Sequence, residues 1–379
     1  MKALIVGAGI GGLCTAIALE KAGIQTVVYE RAAEIKALGA GLGIGANALK
    51  GMEKLGIAEE VIQAGHQLDG MVICDQGGKQ ISKVDTRVIS AQYGTDNVTI
   101  HRADLHNILM RNLKDTHVVT GKKAVNAEQN EQEATVYFED GTSEKCDYII
   151  AADGIHSIIR QKLMPESVPR YAGYTCWRGI IDHHPFNENT ATETWGRNGR
   201  FGIVPLANQK LYWFACVNAN AHDPKMKAMK TEDLHSIFRD YHDPIPFVIQ
   251  MTEDHALIHN DILDITPIKR FAFDRILLLG DAAHASTPNM GQGAGQAIED
   301  AIILGNCLKE HEDAKSAFKA FEAKRMERTA KIIKMSRRIG QVGQLENKMM
   351  IKVRNFLLKR ESEAAQLKRM AFLYDVDLS

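Results

Sequence analysis

Gly7-Ala8-Gly9-Ile10-Gly11-Gly12 decides how this chain begins to fold, because it joins an apolar run, Lys2 to Val6, to a segment that reads as a helix from about Gly11 to Lys21. The run is long enough for one buried parallel strand, and glycines let such a strand turn sharply into a helix. Gly7 permits the turn, Gly9 lets backbone approach a pyrophosphate, Gly11 opens the helix, and Gly12 lets helix and strand pack closely. The helix N-terminus then offers unpaired amides to phosphate charge. A second strand, Gln25 to Tyr29, ends at Glu30, about 20 residues past the glycines, where an acid hydrogen-bonds a ribose diol and repels a 2′-phosphate. The unit fits FAD or NAD rather than NADP. A secretory signal is the rival reading, since Ala3 to Leu19 follows a lysine and contains Ala16-Ile17-Ala18. Cleavage there would destroy a complete strand-helix-strand unit, and the glycines interrupt the apolar core that a signal needs.

Two further segments repeat the pattern of a strand ending in glycine and acid. Tyr148 to Ala151 runs into Asp153-Gly154, and Arg275 to Leu279 runs into Gly280-Asp281. The latter continues through Pro288 and Gly291-Gln292-Gly293 to Gly295, then into a helix from about Gln296 to Lys309. Together the three segments fit a long cofactor gripped at adenosine, pyrophosphate and ribityl-flavin, which is FAD. Asp281 suits a sugar-alcohol hydroxyl, and a helix N-terminus suits a ring that gains negative charge on reduction. His284, beside Asp281, reads as a structural hydrogen-bonder. A second glycine-rich loop, Gly39-Ala40-Gly41-Leu42-Gly43-Ile44-Gly45, precedes a helix at Ala46 to Leu55 and lets backbone lie against a flat ligand.

At 379 residues the chain exceeds one ordinary core, and its formal net charge of -1 gives no pull toward nucleic acid. The six cysteines are scattered without metal spacing, so neither a disulfide framework nor a metal site is expected. No apolar run approaches the roughly 20 residues of a membrane span, and a cytoplasmic setting is expected.

Met71 to Asn97 reads as hairpin strands, His101 to about Leu113 as a helix, and Val118 to Thr120 and Ala134 to Phe138 as strands. From Tyr171 to about Ile268 the composition shifts. Trp177, Trp195 and Trp213 gather there, with the alternation of an antiparallel sheet in Arg200 to Val204 and Lys210 to Val217. The expected fold is α/β: a Rossmann-like FAD-binding domain (1-70, 98-170 and 269-340), an inserted antiparallel-sheet substrate domain (71-97 and 171-268), and a C-terminal helix (341-379). The tail is rich in Lys and Arg. Met349, Met350 and Phe356-Leu357-Leu358 mark an amphipathic helix, while Arg337-Arg338 and Lys359-Arg360 read as a solvated face bracing the two domains. A membrane surface or acidic partner is the rival reading for those basic pairs.

On these residues the chain resembles the single-component (class A) flavoprotein aromatic monooxygenases of the para-hydroxybenzoate hydroxylase fold, over roughly residues 1 to 340. The family's dinucleotide motif matches Gly7, Gly9, Gly12 and Glu30; its Asp-Gly-x-x-Ser-x-x-Arg motif matches Asp153, Gly154, Ser157 and Arg160; its Gly-Asp motif matches Gly280, Asp281 and Pro288. Tyr171-Ala172-Gly173-Tyr174 and Pro288 to Gly293 are similar to the salicylate, 3-hydroxybenzoate and urate hydroxylase and zeaxanthin epoxidase branch. Ala46 departs from the proline that relatives often carry there.

The resemblance implies that Glu30 and Arg31 hold the adenosine, Arg102 reaches the pyrophosphate and ribityl region, and Asp281 binds the ribityl chain. Pro288, Gly291, Gln292 and Gly293 line the flavin, and Asp153 and Gly154 serve FAD and the nicotinamide; Gly43, in the second glycine-rich loop, is a further cofactor-binding candidate from the residue pattern. It also implies NADH or NADPH as a transient cosubstrate, and O₂ passing one atom through a flavin C4a-hydroperoxide to a small aromatic, heteroaromatic or polyene substrate. Arg200 and Tyr212 occupy what look like the substrate-engaging positions of the urate hydroxylase branch. The competing reading within the fold is a flavin reductase that inserts no oxygen.

Overall fold

The computed structural model describes residues 2–34, 40–94, 97–182 and 189–378, so Gly39 of the second glycine-rich loop lies outside the described residues. Two large sheets organise the molecule. The first runs in the order Ala272–Phe273, Ile276–Leu278, Tyr148–Ala151, Lys2–Val6, Gln25–Tyr29, His117–Val119. All its pairings are parallel except the first, and both faces are covered, which is why its central strands are near-continuous apolar runs. Leu4, Ile5, Ile149, Ile150, Leu277 and Leu278 are fully buried in the main core. Against the sheet lie the helices Ile10–Lys21 and Gly293–Glu310, which meet where Gly11 faces the Ala297 methyl.

The second sheet has seven strands in the order Ile258–Asp264, Arg170–Ile181, Leu211–Asn218, Arg200–Pro205, Thr190–Trp195, Gly70–Asp75, Gln80–Asp85. It is antiparallel throughout except where Thr190–Trp195 runs parallel to Gly70–Asp75, the seam where the earlier segment joins the later one. Alternation sends Trp177, Phe201 and Trp213 to one face, where helices Thr231–Phe238 and Ile245–Gln250 cover them with Leu234, Phe238 and Val248. The sheet expected between 171 and 268 therefore carries its own helical layer, which buries two of its tryptophans. Tyr174, Arg178, Arg200, Tyr212 and Phe214 fall on the opposite face by register.

Three expectations are corrected. The expected hairpin at 71-97 stops at Asp85; Thr86–Tyr93 is a helix, capped by the Asp85 carboxylate accepting from the Arg87 amide. Beyond 340 there is not one helix: Ala314–Gly343 runs 30 residues through the expected boundary, followed by Lys348–Arg360 and Glu363–Tyr374. The last of these returns to the nucleotide-binding half, placing Leu373 and Tyr374 against Ala46 and Ile332. Finally, Arg337 is not a solvated charge, since it donates to Asp264 at 2.9 Å and to the Tyr171 carbonyl at 3.2 Å.

Candidate active site

The glycines of the first turn answer two separate demands. Gly7 has φ +106°, and a methyl group at Gly12 would stand 1.9 Å from the Gly7 carbonyl oxygen, so these two are fixed by the turn itself. In front of Gly9 nothing lies within 4 Å, and the same holds at Gly43, Gly154, Gly291 and Gly293, leaving open backbone from the first turn to the start of Gly293–Glu310. Helices Ile10–Lys21 and Gly293–Glu310 both begin without a side-chain cap, so their first amides remain available to a ligand. Asn47 Oδ1, buried beside this path, has no hydrogen-bond partner among the described residues. Open backbone and free donors are what an elongated, phosphate-bearing dinucleotide requires.

Glu30 ends its strand with the carboxylate accepting from the amides of Ala8, 2.8 Å, and Ala32, 2.9 Å. A carboxylate has further lone pairs for a diol, so this geometry steadies the turn without using up the acceptor. Arg31 is exposed beside it, and Arg102 is exposed at the start of helix Arg102–Arg111. Asp153 accepts from the Ile158 amide at 3.0 Å. Arg160, fully buried, ties this segment to the next by donating to the carbonyls of Ile155, Ser167 and Ala282. Asp281 is exposed although protein surrounds it closely. That burial raises its carboxyl pKa, against the pull of His284, Arg102 and Arg160.

Behind this surface lies a buried polar network that sequence reasoning missed. His284 Nε2 meets Asp300 Oδ2 at 2.6 Å, as a structural hydrogen-bonder should, and the Gly280 amide donates to the same oxygen at 2.9 Å. Arg325, from the 30-residue helix, donates to Asp300 at 2.7 Å, Glu299 at 2.6 Å and Gln296 Oε1 at 2.7 Å. Glu299 also accepts from Asn47 at 2.6 Å, and Asn47 reaches Gln292 at 3.0 Å. Burial opposes the charge on Asp300, but His284 and Arg325 outweigh it and hold the carboxyl down to about 2. The available signal was the acid pair Glu299-Asp300 inside an otherwise apolar helix, answered by Arg325 and Arg328 one helix later.

Asn289 joins the Pro288–Met290 turn to the second sheet. Its amide donates to Thr287 and to the Ser336 carbonyl, both at 2.8 Å. Its oxygen accepts from the Tyr174 hydroxyl at 3.1 Å and from Arg200 at 2.8 Å. Arg200 also donates to Glu193 at 2.9 Å and Gln344 at 3.0 Å, and lies over the Tyr174 ring at 5.3 Å. The arginine thus sits at the junction of both sheets with three partners. Tyr212 stands farther along the same face, its ring so close to Gly41 that a methyl there would fall 2.8 Å from it. Burial raises its phenol pKa against the pull of the Arg178 guanidinium, so the hydroxyl is neutral at pH 7. Phe214 covers Gly202, where a methyl would come within 2.1 Å of the ring. The nucleotide-binding half and the second sheet thus meet at two points near these residues, where Asn289 bonds Tyr174 and Arg200 and where Gly41 packs on Tyr212.

Comparison with known proteins agrees with this geometry. A family model described as an FAD binding domain matches residues 1–336. The chain is 37% identical over 363 residues to the aurachin C monooxygenase/isomerase of Stigmatella aurantiaca, covering 96% of this chain and 94% of that protein. It is 30% identical over 372 residues to the 2-heptyl-3-hydroxy-4(1H)-quinolone synthase of Pseudomonas aeruginosa strain UCBPP-PA14, covering 97% and 96%. The crystal structure of Klebsiella pneumoniae HpxO complexed with FAD and uric acid superposes with a TM-score of 0.92 at 28% identity, covering 99% of this chain and 97% of that one. With its glycine cradle, free helix N-termini and whole-length relatives, this chain belongs to the FAD-binding monooxygenase family, and FAD is its cofactor.

Proposed function

We propose that the chain hydroxylates a 4-quinolone-like heteroaromatic, a fused ring bearing a ring N–H and a ketone, with NADH or NADPH as reductant and O₂ as oxygen source. The observation that carries this reading is whole-length similarity, at 37% and 30% identity, to two proteins whose names specify aurachin C and 2-heptyl-3-hydroxy-4(1H)-quinolone. The site suits such a ring. Ile180, Val204, Tyr212 and Phe214 share one face of the second sheet, with Arg178 at its partly open end. FAD, once bound and reduced, supplies the activation of O₂.

The chain's own residues then have distinct tasks. Neutral Tyr212 donates a hydrogen bond to the substrate's ketone oxygen, and Arg178 stabilises the negative charge that oxygen takes on when the ring N–H gives its proton to water, which readies the ring to attack an electrophilic oxygen. Arg200 acts at one remove, holding Asn289 and so the backbone from Pro288 to Gly293 against the flavin ring. Glu30, Arg31, Arg102, Asp153 and Asp281 hold the rest of the cofactor. The cytoplasm is the setting this reading assigns, since the six cysteines are buried free thiols.

The test is NADH and NADPH oxidation by the FAD-loaded protein against 2-alkyl-4-quinolones, urate and hydroxybenzoates, with mass spectrometry of the products. A quinolone that accelerates oxidation and gains one oxygen atom supports the assignment. Oxygen gained by urate or a hydroxybenzoate instead would move the substrate class. Rapid oxidation with no oxygen gained by any compound would make the protein a reductase of the same fold.

A further inference from the structure

Helix Lys348–Arg360 has two apolar faces, and one of them packs on the molecule. Ile351, Arg354 and Leu358 turn inward; buried Arg354 donates to the carbonyls of Val342, Gly343 and Trp195 and lies over the Trp195 ring at 5.2 Å. At about 100° per residue, Met349, Met350, Val353, Phe356 and Leu357 fall within an arc of about 120° on another side. They are exposed by 76%, 54%, 53%, 53% and 60%. Five of the twelve exposed large apolar side chains among the described residues therefore lie on this one helix of 13 residues. Scattered singly they would need no account, but as a stripe they mark a contact surface.

The charge around the stripe says what covers it. Lys348, Lys352 and Lys359 line one flank, Arg360 lies over the exposed Phe356 ring at 4.3 Å, and the helix contains no acidic residue. The carboxylates just outside it are committed elsewhere: Glu346 accepts from Asn218 at 2.9 Å, and Glu361 pairs with Arg369 at 3.2 Å. A second copy of the helix would bring lysines against lysines with no acid between them. An anionic lipid surface satisfies both halves, taking the apolar stripe below its headgroups and the lysines among them. No helix among the described residues is long and apolar enough to cross a membrane, so such attachment is peripheral.

We propose that helix Lys348–Arg360 seats this enzyme on an anionic membrane surface. The inference stands on the helix alone and goes beyond the substrate assignment. The test is co-sedimentation of the full-length, FAD-loaded protein with phosphatidylglycerol/phosphatidylcholine vesicles and with phosphatidylcholine alone. Two double variants accompany it, Met350→Glu with Phe356→Glu, and Lys352→Glu with Lys359→Glu. Expected are binding to the anionic vesicles, weakening as salt rises, and a loss of about tenfold or more in each variant with bound FAD and helical circular dichroism unchanged. Equal sedimentation of wild type and variants, or none with either vesicle, overturns the proposal. So does light scattering that shows a lipid-free dimer which the apolar variant splits, since the stripe would then be a contact between copies.

Discussion

At Gly9 and Gly12 one residue type serves the fold in one case and the ligand in the other, and substitution separates the two. Gly9 has φ -72°, which any residue adopts, and open space before it, so Gly9→Ala should leave the melting temperature of the apoprotein unchanged. The added methyl should weaken FAD binding by about tenfold or more, because backbone can no longer approach the pyrophosphate. Fluorescence titration with FAD decides this, and wild-type affinity in the variant would mean that the cofactor does not pass there. Gly12→Ala should instead destabilise the apoprotein, since its methyl collides with the Gly7 carbonyl. Asp300 makes a pH prediction. Its carboxyl is held at about 2, below the ordinary value of 3.8, so its contribution is fully present above pH 4 and is lost as pH falls from about 4 to about 2. That contribution is about 2 kcal/mol. In urea unfolding across this range, the stability gap between wild type and Asp300→Asn should narrow as pH falls, and a constant gap would sink the assignment. Of this network only His284 as a structural hydrogen-bonder was legible; the acid pair Glu299-Asp300 had no local partner to explain it, because Arg325 stands on a different helix.

The elements show why motifs were legible and connections less so. Lys2–Val6, Gln25–Tyr29, Tyr148–Ala151 and the glycine turns follow from local pattern, since a buried parallel strand reads as an apolar run and a sharp turn requires glycine. Thr86–Tyr93 was read as strand because short apolar segments fit either period, and the cap at Asp85, not the periodicity, fixes it as helix. The path of the 30-residue helix past both sheets was equally hidden, although it sets the site. Ser336 donates to the Thr287 carbonyl at 2.6 Å, and Gly340 leaves room for Asn289, whose amide nitrogen would lie 2.5 Å from a methyl there. Gly340→Ala should therefore shift Asn289 away from Tyr174 and Arg200 while FAD stays bound. Substrate-stimulated NAD(P)H oxidation should fall several-fold with unchanged flavin absorbance, and an unaffected rate would show that this junction does not position the site. At the same scale, Arg325→Met leaves Glu299 and Asp300 buried without their shared cation, which costs about 3–5 kcal/mol in denaturant unfolding.

For the whole molecule, a cofactor bound along the edge where the parallel strands of the first sheet all end couples ligand to stability. The melting temperature should rise with FAD concentration, with about 2.7 kcal/mol gained at a hundredfold excess over the dissociation constant. Calorimetry with and without added FAD measures it, and a melting temperature indifferent to FAD would deny that the folded state alone holds the cofactor. The architecture of two sheets was readable from composition because aromatics cluster in one stretch and glycine turns in three others. That 71-97 joins 171-268 in one sheet was expected, but the parallel seam between Gly70–Asp75 and Thr190–Trp195 was not, since a parallel pairing across more than a hundred residues leaves no local trace. The order of strands in the first sheet also bears on how the protein is made. Lys2–Val6 is made before the other strands of this sheet, yet its neighbour Tyr148–Ala151 follows far later, and Ile276–Leu278 later still. The growing sheet must carry one apolar edge unpaired, first on Lys2–Val6 and then on Tyr148–Ala151, until Ile276–Leu278 is made, a state that favours aggregation and chaperone capture. If the cofactor needs the turn through Gly293 as well as the first glycine turn, the yellow colour should report late synthesis rather than early folding.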